Sequence, residues 1–291
     1  MPSKEFLNRR GSIWERTSFE GKTFPELRKE MDEGVIAALR TYCDVHWESG
    51  NAGEIRGKWV RPEADSGRLL YYVHGGGFTL GSSGIPLPFL MELSHRLGIT
   101  CFSADYRLAP EHTFPAAPED AFAGYKALLD MGYSPENIIL CGESAGATLV
   151  LGIPLTAKRA GVRLPAGVIA LSPVTDATAP AEGTVLEGLD GPDQIYSVYA
   201  PGYELSHPLI SPALGDLAGF PPVFLSAGGS EVLMKDALIF AGNAARQGVD
   251  VRMHIGRDMI HTYPLDLWDY PEAMTAFEEI ELFIRQTLSQ T

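Results

Sequence analysis

Two glycine motifs some seventy residues apart, His74-Gly75-Gly76-Gly77 and Gly142-Glu143-Ser144-Ala145-Gly146, constrain this chain more than any other feature. The second lies between Asn137-Ile138-Ile139-Leu140-Cys141, which reads as a short buried strand, and Ala145 to Ala160, which reads as a helix interrupted only by Gly152 and Pro154. Glycines two places before and two after a serine permit a strained strand-to-helix turn that lifts the hydroxyl clear of the backbone. The upstream HGGG segment supplies N–H groups that no side chain obstructs, which suits a developing oxyanion. A chain with 31 glycines can show one such pattern by chance, so the strand–turn–helix setting carries the reading against that of a plain glycine-rich loop. Together the motifs imply an acyl-transfer site, with Ser144 as nucleophile and the N–H groups of Gly75, Gly76 and Ala145 as the oxyanion hole.

A serine hydroxyl is a poor nucleophile until a base takes its proton, and the base must be held in one tautomer by an acid. Downstream, the histidine that lies on a loop after the last strand is His261, in Asp258-Met259-Ile260-His261-Thr262. His46, His95, His112, His207 and His254 lack either the order or the loop position, and His74 is better suited to bracing the oxyanion loop. Three carboxylates fall in plausible places for the acid: Glu231, Asp236 and Asp258. Glu231 follows directly on the strand-like Pro222 to Ala227, while Asp236 lies more than a turn into the next helix. Two helical positions five residues apart differ by about 140° around the axis, so Glu231 and Asp236 cannot both face His261. Glu231 is favoured and Asp236 stands second; the competing reading of Glu231 is a first-turn carboxylate behind a Ser230 cap.

A chain of 291 residues suits one large α/β domain. Ile55 to Val60 and Arg68 to Val73 read as strands. Thr100 to Ala104, Asn137 to Cys141, Gly167 to Leu171, Pro222 to Ala227 and Val249 to Ile255 follow as strands. Helical stretches at Pro118 to Met131, Ala145 to Ala160, Glu231 to Gln247 and Pro271 to Leu288 alternate with them, which implies a mostly parallel sheet covered on both faces. Residues 1–50 read as an N-terminal cap or arm, with a helical stripe between Phe24 and His46, and residues 51–291 as the catalytic domain. Residues 176–212 break the alternation without a period of their own and read as a short lid insertion.

The formal charge of −14 would repel nucleic-acid phosphates and anionic lipid surfaces, leaving a small neutral molecule as the expected partner. The first fifteen residues hold no apolar stretch, and no run of eighteen apolar residues occurs, so neither a secretory leader nor a membrane span is expected. Cys43, Cys101 and Cys141 are odd in number and far apart, which fits reduced thiols in a cytoplasmic protein. No paired His or Cys spacing points to a metal, and no cofactor is implied.

The motifs taken together resemble the hormone-sensitive lipase family of α/β-hydrolases, which includes the bacterial family IV carboxylesterases. The carriers are His74-Gly75-Gly76-Gly77-Phe78, Asp105-Tyr106-Arg107-Leu108-Ala109-Pro110-Glu111, Phe114-Pro115-Ala116-Ala117, Gly142-Glu143-Ser144-Ala145-Gly146 and Glu231-Val232-Leu233, in the family's order. The resemblance implies an α/β-hydrolase fold with a small helical cap. It also implies a cofactor-free serine carboxylesterase acting on short- to medium-chain acyl esters, and frequently a homodimer. Glu143 and Glu231 stand where aspartate is commoner, Ala147 replaces a glycine, and the segment from Asp176 to Ser211 is short. Two other functions remain open on such a scaffold. One is a small-molecule receptor of the kind found among plant gibberellin receptors, which retention of His261 argues against; the other is amide hydrolysis or deacetylation by the same triad.

Overall fold

The computed structural model describes residues 2–13, 21–178 and 191–289. Among them a single eight-stranded sheet runs β1 (Val45–Ala52), β2 (Ile55–Pro62), β4 (Thr100–Ala104), β3 (Leu69–Val73), β5 (Ile138–Glu143), β6 (Gly167–Leu171), β7 (Val223–Gly228) and β8 (Val251–Gly256) from edge to edge. β1 pairs antiparallel with β2 and β2 antiparallel with β4, and all the other pairings are parallel. The expected mostly parallel α/β architecture is therefore present. Strands β3 to β7 are buried along their whole length, which is why they read as apolar runs and not as alternations.

Alternate residues of these strands feed two separate cores. Leu69, Tyr71, Val73, Ile138 and Leu140 face a layer built from α4 (Ala116–Asp130), α5 (Ala145–Ala160) and α7 (Met234–Arg246). Leu70, Tyr72, Ile139, Cys141, Ile169 and Leu171 face α3 (Leu87–Leu97) and α8 (Pro271–Ser289), whose Phe89, Leu90, Phe277 and Phe283 fill the space between. A period of two along each strand thus sorts side chains into opposite layers.

The N-terminal region departs from expectation. The helical stripe forms α2 (Phe24–Ala37), opened by a capping box in which the Thr23 N–H donates to Glu26 Oε2 at 2.8 Å. It stops at Ala37, and residues from Val45 form β1 instead, so the expected domain boundary at residue 50 falls inside a strand. Gly50 to Gly53 forms no boundary between regions. It is the end of β1 and the start of a tight hairpin in which Ala52 faces Ile55 and Gly53 takes a φ of 57°. Two further helices were not anticipated, α3 and α1 (Lys4–Ile13). Helix α7 begins at Met234, three residues later than the sequence suggested, which leaves Glu231 on the preceding loop. Of the expected lid, residues 179–190 lie outside the described residues, and the remainder includes α6 (Gly191–Tyr199).

Both N-terminal helices grip loops at the carboxyl end of the sheet. On α2, the Arg28 guanidinium donates to the carbonyls of Thr79 and Ala109 at 2.8 Å each and pairs with Glu111. Asp32 accepts the Ser82 hydroxyl at 2.5 Å. At the start of α1, Ser3 donates through its N–H and its hydroxyl to the Glu272 carboxylate, at 2.6 and 2.7 Å. Phe6, fully buried, then packs among Met259, Tyr263, Tyr270 and Ala273. The expected effect of Phe6→Ala is a loss of about 3–5 kcal/mol, the usual cost of emptying a buried phenylalanine site. Urea unfolding measures the loss, and hydrogen exchange of the 259–263 amides should accelerate with it.

Candidate active site

Parallel pairing brings the two glycine motifs together, because Val73 at the end of β3 lies opposite Gly142 near the end of β5. The chain leaving β5 turns at Ser144 with φ 54° and ψ −122°, a strained conformation for a residue with a Cβ, and enters α5 at once. The turn is possible because Gly146 packs on the end of β3: a Cβ there would fall 2.1 Å from the Val73 oxygen and 2.4 Å from the His74 oxygen. Ser144 is 9 % exposed, and its N–H donates to the Leu171 oxygen of β6 at 2.8 Å.

The residue directly after β6 leads to the expected acid and base. Ser172, itself at φ 48°, donates its hydroxyl to Glu231 Oε1 at 2.8 Å and accepts the Thr262 N–H at 3.0 Å. Glu231 Oε1 also accepts the Gly228 N–H at 2.7 Å, and its Oε2 lies 2.5 Å from His261 Nδ1. The Glu231 side chain is only 2 % exposed, whereas that of His261 is 16 % exposed. A buried carboxylate with every oxygen engaged fixes Nδ1 as the protonated ring nitrogen and leaves Nε2 free to accept a proton. The structure therefore joins Glu231 and His261 directly, and Ser144 is tied through Leu171 and Ser172 to the same strand end.

The other acids are used elsewhere. Asp236, in the first turn of α7, accepts the N–H groups of Thr175 and Asp176 at 2.9 Å each and so pins the chain after β6. Burial raises its pKa. Asp258 pairs with Arg257 at 3.5 Å. Since α7 starts after Glu231, the first-turn reading of that carboxylate does not hold. Ser172 carried no motif that sequence reasoning used; its signal is only its place directly after a buried strand.

The oxyanion loop needs one correction. The Gly75 N–H, expected in the oxyanion hole, donates to Glu143 Oε1 at 2.7 Å, because the side chain before the serine reaches across from β5. The N–H groups of Gly76, Gly77 and Ala145 donate to no other group among the described residues. Gly75 remains pressed against Ser144: a Cβ on it would lie 3.1 Å from the Ser144 Cβ. His74 is buried, its ring stacks on Tyr106 at 4.4 Å between centroids, and its Nδ1 lies 2.8 Å from the Gly75 oxygen. Burial holds its pKa down, so the neutral ring donates through Nδ1 and braces the loop.

Over this loop lies the cap. Ile195 of α6 would sit 3.6 Å from a Cβ on Gly77, and Tyr199 stacks on Phe78 with centroids 3.7 Å apart. Phe78, Leu80, Tyr196 and Tyr199 are all buried. No group of His, Cys, Asp and Glu residues among those described could hold a metal ion, and no described helix is long and apolar enough to cross a membrane.

A strained serine elbow at the end of a parallel sheet, with a buried carboxylate–histidine pair on the neighbouring loops, defines an α/β-hydrolase site. Residues 70–265 match the family described as the alpha/beta hydrolase fold. An acetyl-hydrolase of Streptomyces hygroscopicus is 36% identical over 240 residues, covering 80% of each chain. An esterase of Acinetobacter venetianus is 32% identical, covering 79% of this chain and 78% of its own. Among solved structures, an esterase from the bacterial hormone-sensitive lipase family superposes with a TM-score of 0.89 at 30% identity, over 99% of both chains. The chain belongs to the hormone-sensitive lipase family of α/β-hydrolases.

Burial pushes the Glu143 carboxyl up to about 7, against smaller lowering by the neighbouring Tyr72 hydroxyl and the Gly75 N–H. A carboxyl whose pKa is higher folded than unfolded holds its proton more tightly in the folded state. Its contribution to stability is full below its ordinary value and is lost as the pH rises towards 7. Glu143→Gln cannot ionise, so its melting temperature should fall less than that of the native protein between pH 5 and 8. An equal fall in both, followed by calorimetry, would count against this assignment.

Proposed function

We propose that this protein is a serine carboxylesterase acting on short- to medium-chain acyl esters through an acyl-enzyme intermediate. That it is a carboxylic ester hydrolase follows from its family and from its esterase and acetyl-hydrolase relatives. The observation that carries the serine mechanism is the Glu231–His261 contact beside the positive-φ elbow of Ser144.

In this reading Ser144 Oγ attacks the ester carbonyl while His261 Nε2 takes its proton. The N–H groups of Gly76, Gly77 and Ala145 receive the tetrahedral oxyanion, Gly77 replacing the already engaged Gly75. His261 then protonates the leaving alcohol, and the acyl group stays on Ser144. A water molecule, giving its proton to the same Nε2, attacks the acyl carbonyl, and Nε2 returns that proton to Ser144 Oγ as the carboxylic acid leaves. Glu231 stabilises the imidazolium in both half-reactions. Packing of α6 on the oxyanion loop, with Phe78 and Tyr199 stacked, supports a confined acyl side and hence shorter chains.

Hydrolysis of nitrophenyl esters from two to twelve acyl carbons tests this reading. Turnover should fall with chain length, and Ser144→Ala should lower kcat by about four orders of magnitude or more. Turnover rising up to twelve carbons would reject the chain-length assignment, and Ser144→Ala activity near that of the native protein would reject the mechanism. Glu231→Gln should cost about a thousandfold or more in kcat, because the amide no longer stabilises the imidazolium. Ser172→Ala should cost about tenfold in kcat with little change in KM, the scale of one lost hydrogen bond to a charged group.

A further inference from the structure

The peptide bonds leading into the oxyanion loop are held on both faces, and one holder is the residue directly before the nucleophile. A peptide unit is planar, so its C=O and N–H point in opposite directions and fixing one aims the other. In the 74–75 unit the His74 oxygen accepts the Tyr106 hydroxyl at 2.9 Å, and the Gly75 N–H donates to Glu143 Oε1 at 2.7 Å. In the 75–76 unit the Gly75 oxygen meets His74 Nδ1 at 2.8 Å, which aims the Gly76 N–H the other way. Contact reinforces the hydrogen bond: a Cβ on Gly75 would lie 2.8 Å from the Glu143 main-chain oxygen and 3.2 Å from its Cγ, so the loop packs directly on residue 143. Glu143 is 5 % exposed, and its Oε2 makes no hydrogen bond of good geometry although the Tyr72 hydroxyl neighbours it. A buried carboxyl with an orphaned oxygen is an expensive way to fill space, and its one hydrogen-bonded oxygen is spent on the loop.

We propose that Glu143 is a positioning residue for the oxyanion loop, holding the 74–75 peptide through the Gly75 N–H and thereby setting where the Gly76 and Gly77 N–H groups point. The inference rests on the serine-esterase reading for its kinetic consequence, but not for the hydrogen bond itself. The acceptor matters more than the charge, because a side-chain amide oxygen at the same place can receive the same N–H. The titratable groups facing Glu143 are Tyr72, Tyr106 and Cys141, and burial pushes all three well above their ordinary values, so none of them changes charge near neutrality.

The test compares Glu143→Met, which keeps the length and loses the acceptor, with Glu143→Gln, which keeps both length and acceptor. On nitrophenyl acetate, Glu143→Met should lose about 30-fold in kcat with KM within about threefold, since a small misplacement of oxyanion donors acts on the transition state. Glu143→Gln should recover most of that loss, and both should melt within a few degrees of the native protein. In ¹⁵N-labelled native protein the Gly75 amide proton should move downfield as the pH rises through about 7, because a carboxylate accepts more strongly than a carboxylic acid. That movement should vanish in Glu143→Gln. The proposal is overturned if Glu143→Met keeps its kcat, if Glu143→Gln is as impaired as Glu143→Met, or if the Gly75 proton ignores the titration. If Glu143→Met does not fold, Glu143→Leu takes its place; failure of both to fold would assign Glu143 to the fold and overturn the proposal. A native protein without ester turnover, yet with a titrating Gly75 proton, would instead overturn the esterase reading alone.

Discussion

One parallel pairing, β3 against β5, decides where everything else must go. With Val73 opposite Gly142, the two strands end level, and the first residues beyond them are forced side by side. His74 and Gly75 then have no choice but to lie against Glu143 and Ser144, at separations that leave no room for a Cβ at positions 75 or 146. Gly75 of the first motif and Gly142 and Gly146 of the second are thus consequences of a single register. A slip by one residue would turn each strand's side chains to the opposite face and exchange the two cores as well. The chemistry depends on the same hydrogen-bond ladder that holds the middle of the sheet.

Much of this was legible because the decisive signals are short-range. Ala145 to Ala160 and Gly167 to Leu171 have the bounds the sequence suggested, since apolar runs flanked by glycine or polar turns leave little freedom. Glu231 and His261, named from order and loop position alone, lie in direct contact. What escaped notice depends on partners distant in sequence. Strand β1 alternates poorly because it lies at the sheet edge. Ser172 matters because Glu231 and Thr262 arrive on either side of it, 59 and 90 residues later. Gly75 was placed in the oxyanion hole because nothing local reveals that the Glu143 side chain crosses from the next strand to take its N–H.

The glutamates at 143 and 231 illustrate how one methylene alters a design. At 231 the longer side chain lets the acid start from a loop, before α7, and still reach Gly228, Ser172 and His261 with two oxygens. At 143 it lets a side chain anchored on β5 span to the loop after β3. In both places a carboxyl crosses between neighbouring loops, and its acceptor oxygens do the joining that a backbone ladder does within the sheet. Loops that would otherwise be held only by their strands become parts of a shared network.

The attachment of α1 has a consequence for the order in which the site is completed. Ser3 and Glu272 meet although they stand 269 positions apart in the sequence, and Phe6 packs against the loop that carries His261. Closing so long a stretch of chain costs loop entropy, a cost that contacts already made within the sheet between the two ends reduce. The imidazole loop therefore gains its final support only when the two extremities of the described chain have come together. The support of the His261 loop is thus a report on closure of the chain, even though Ser144, Glu231 and His261 lie within a few strands of one another.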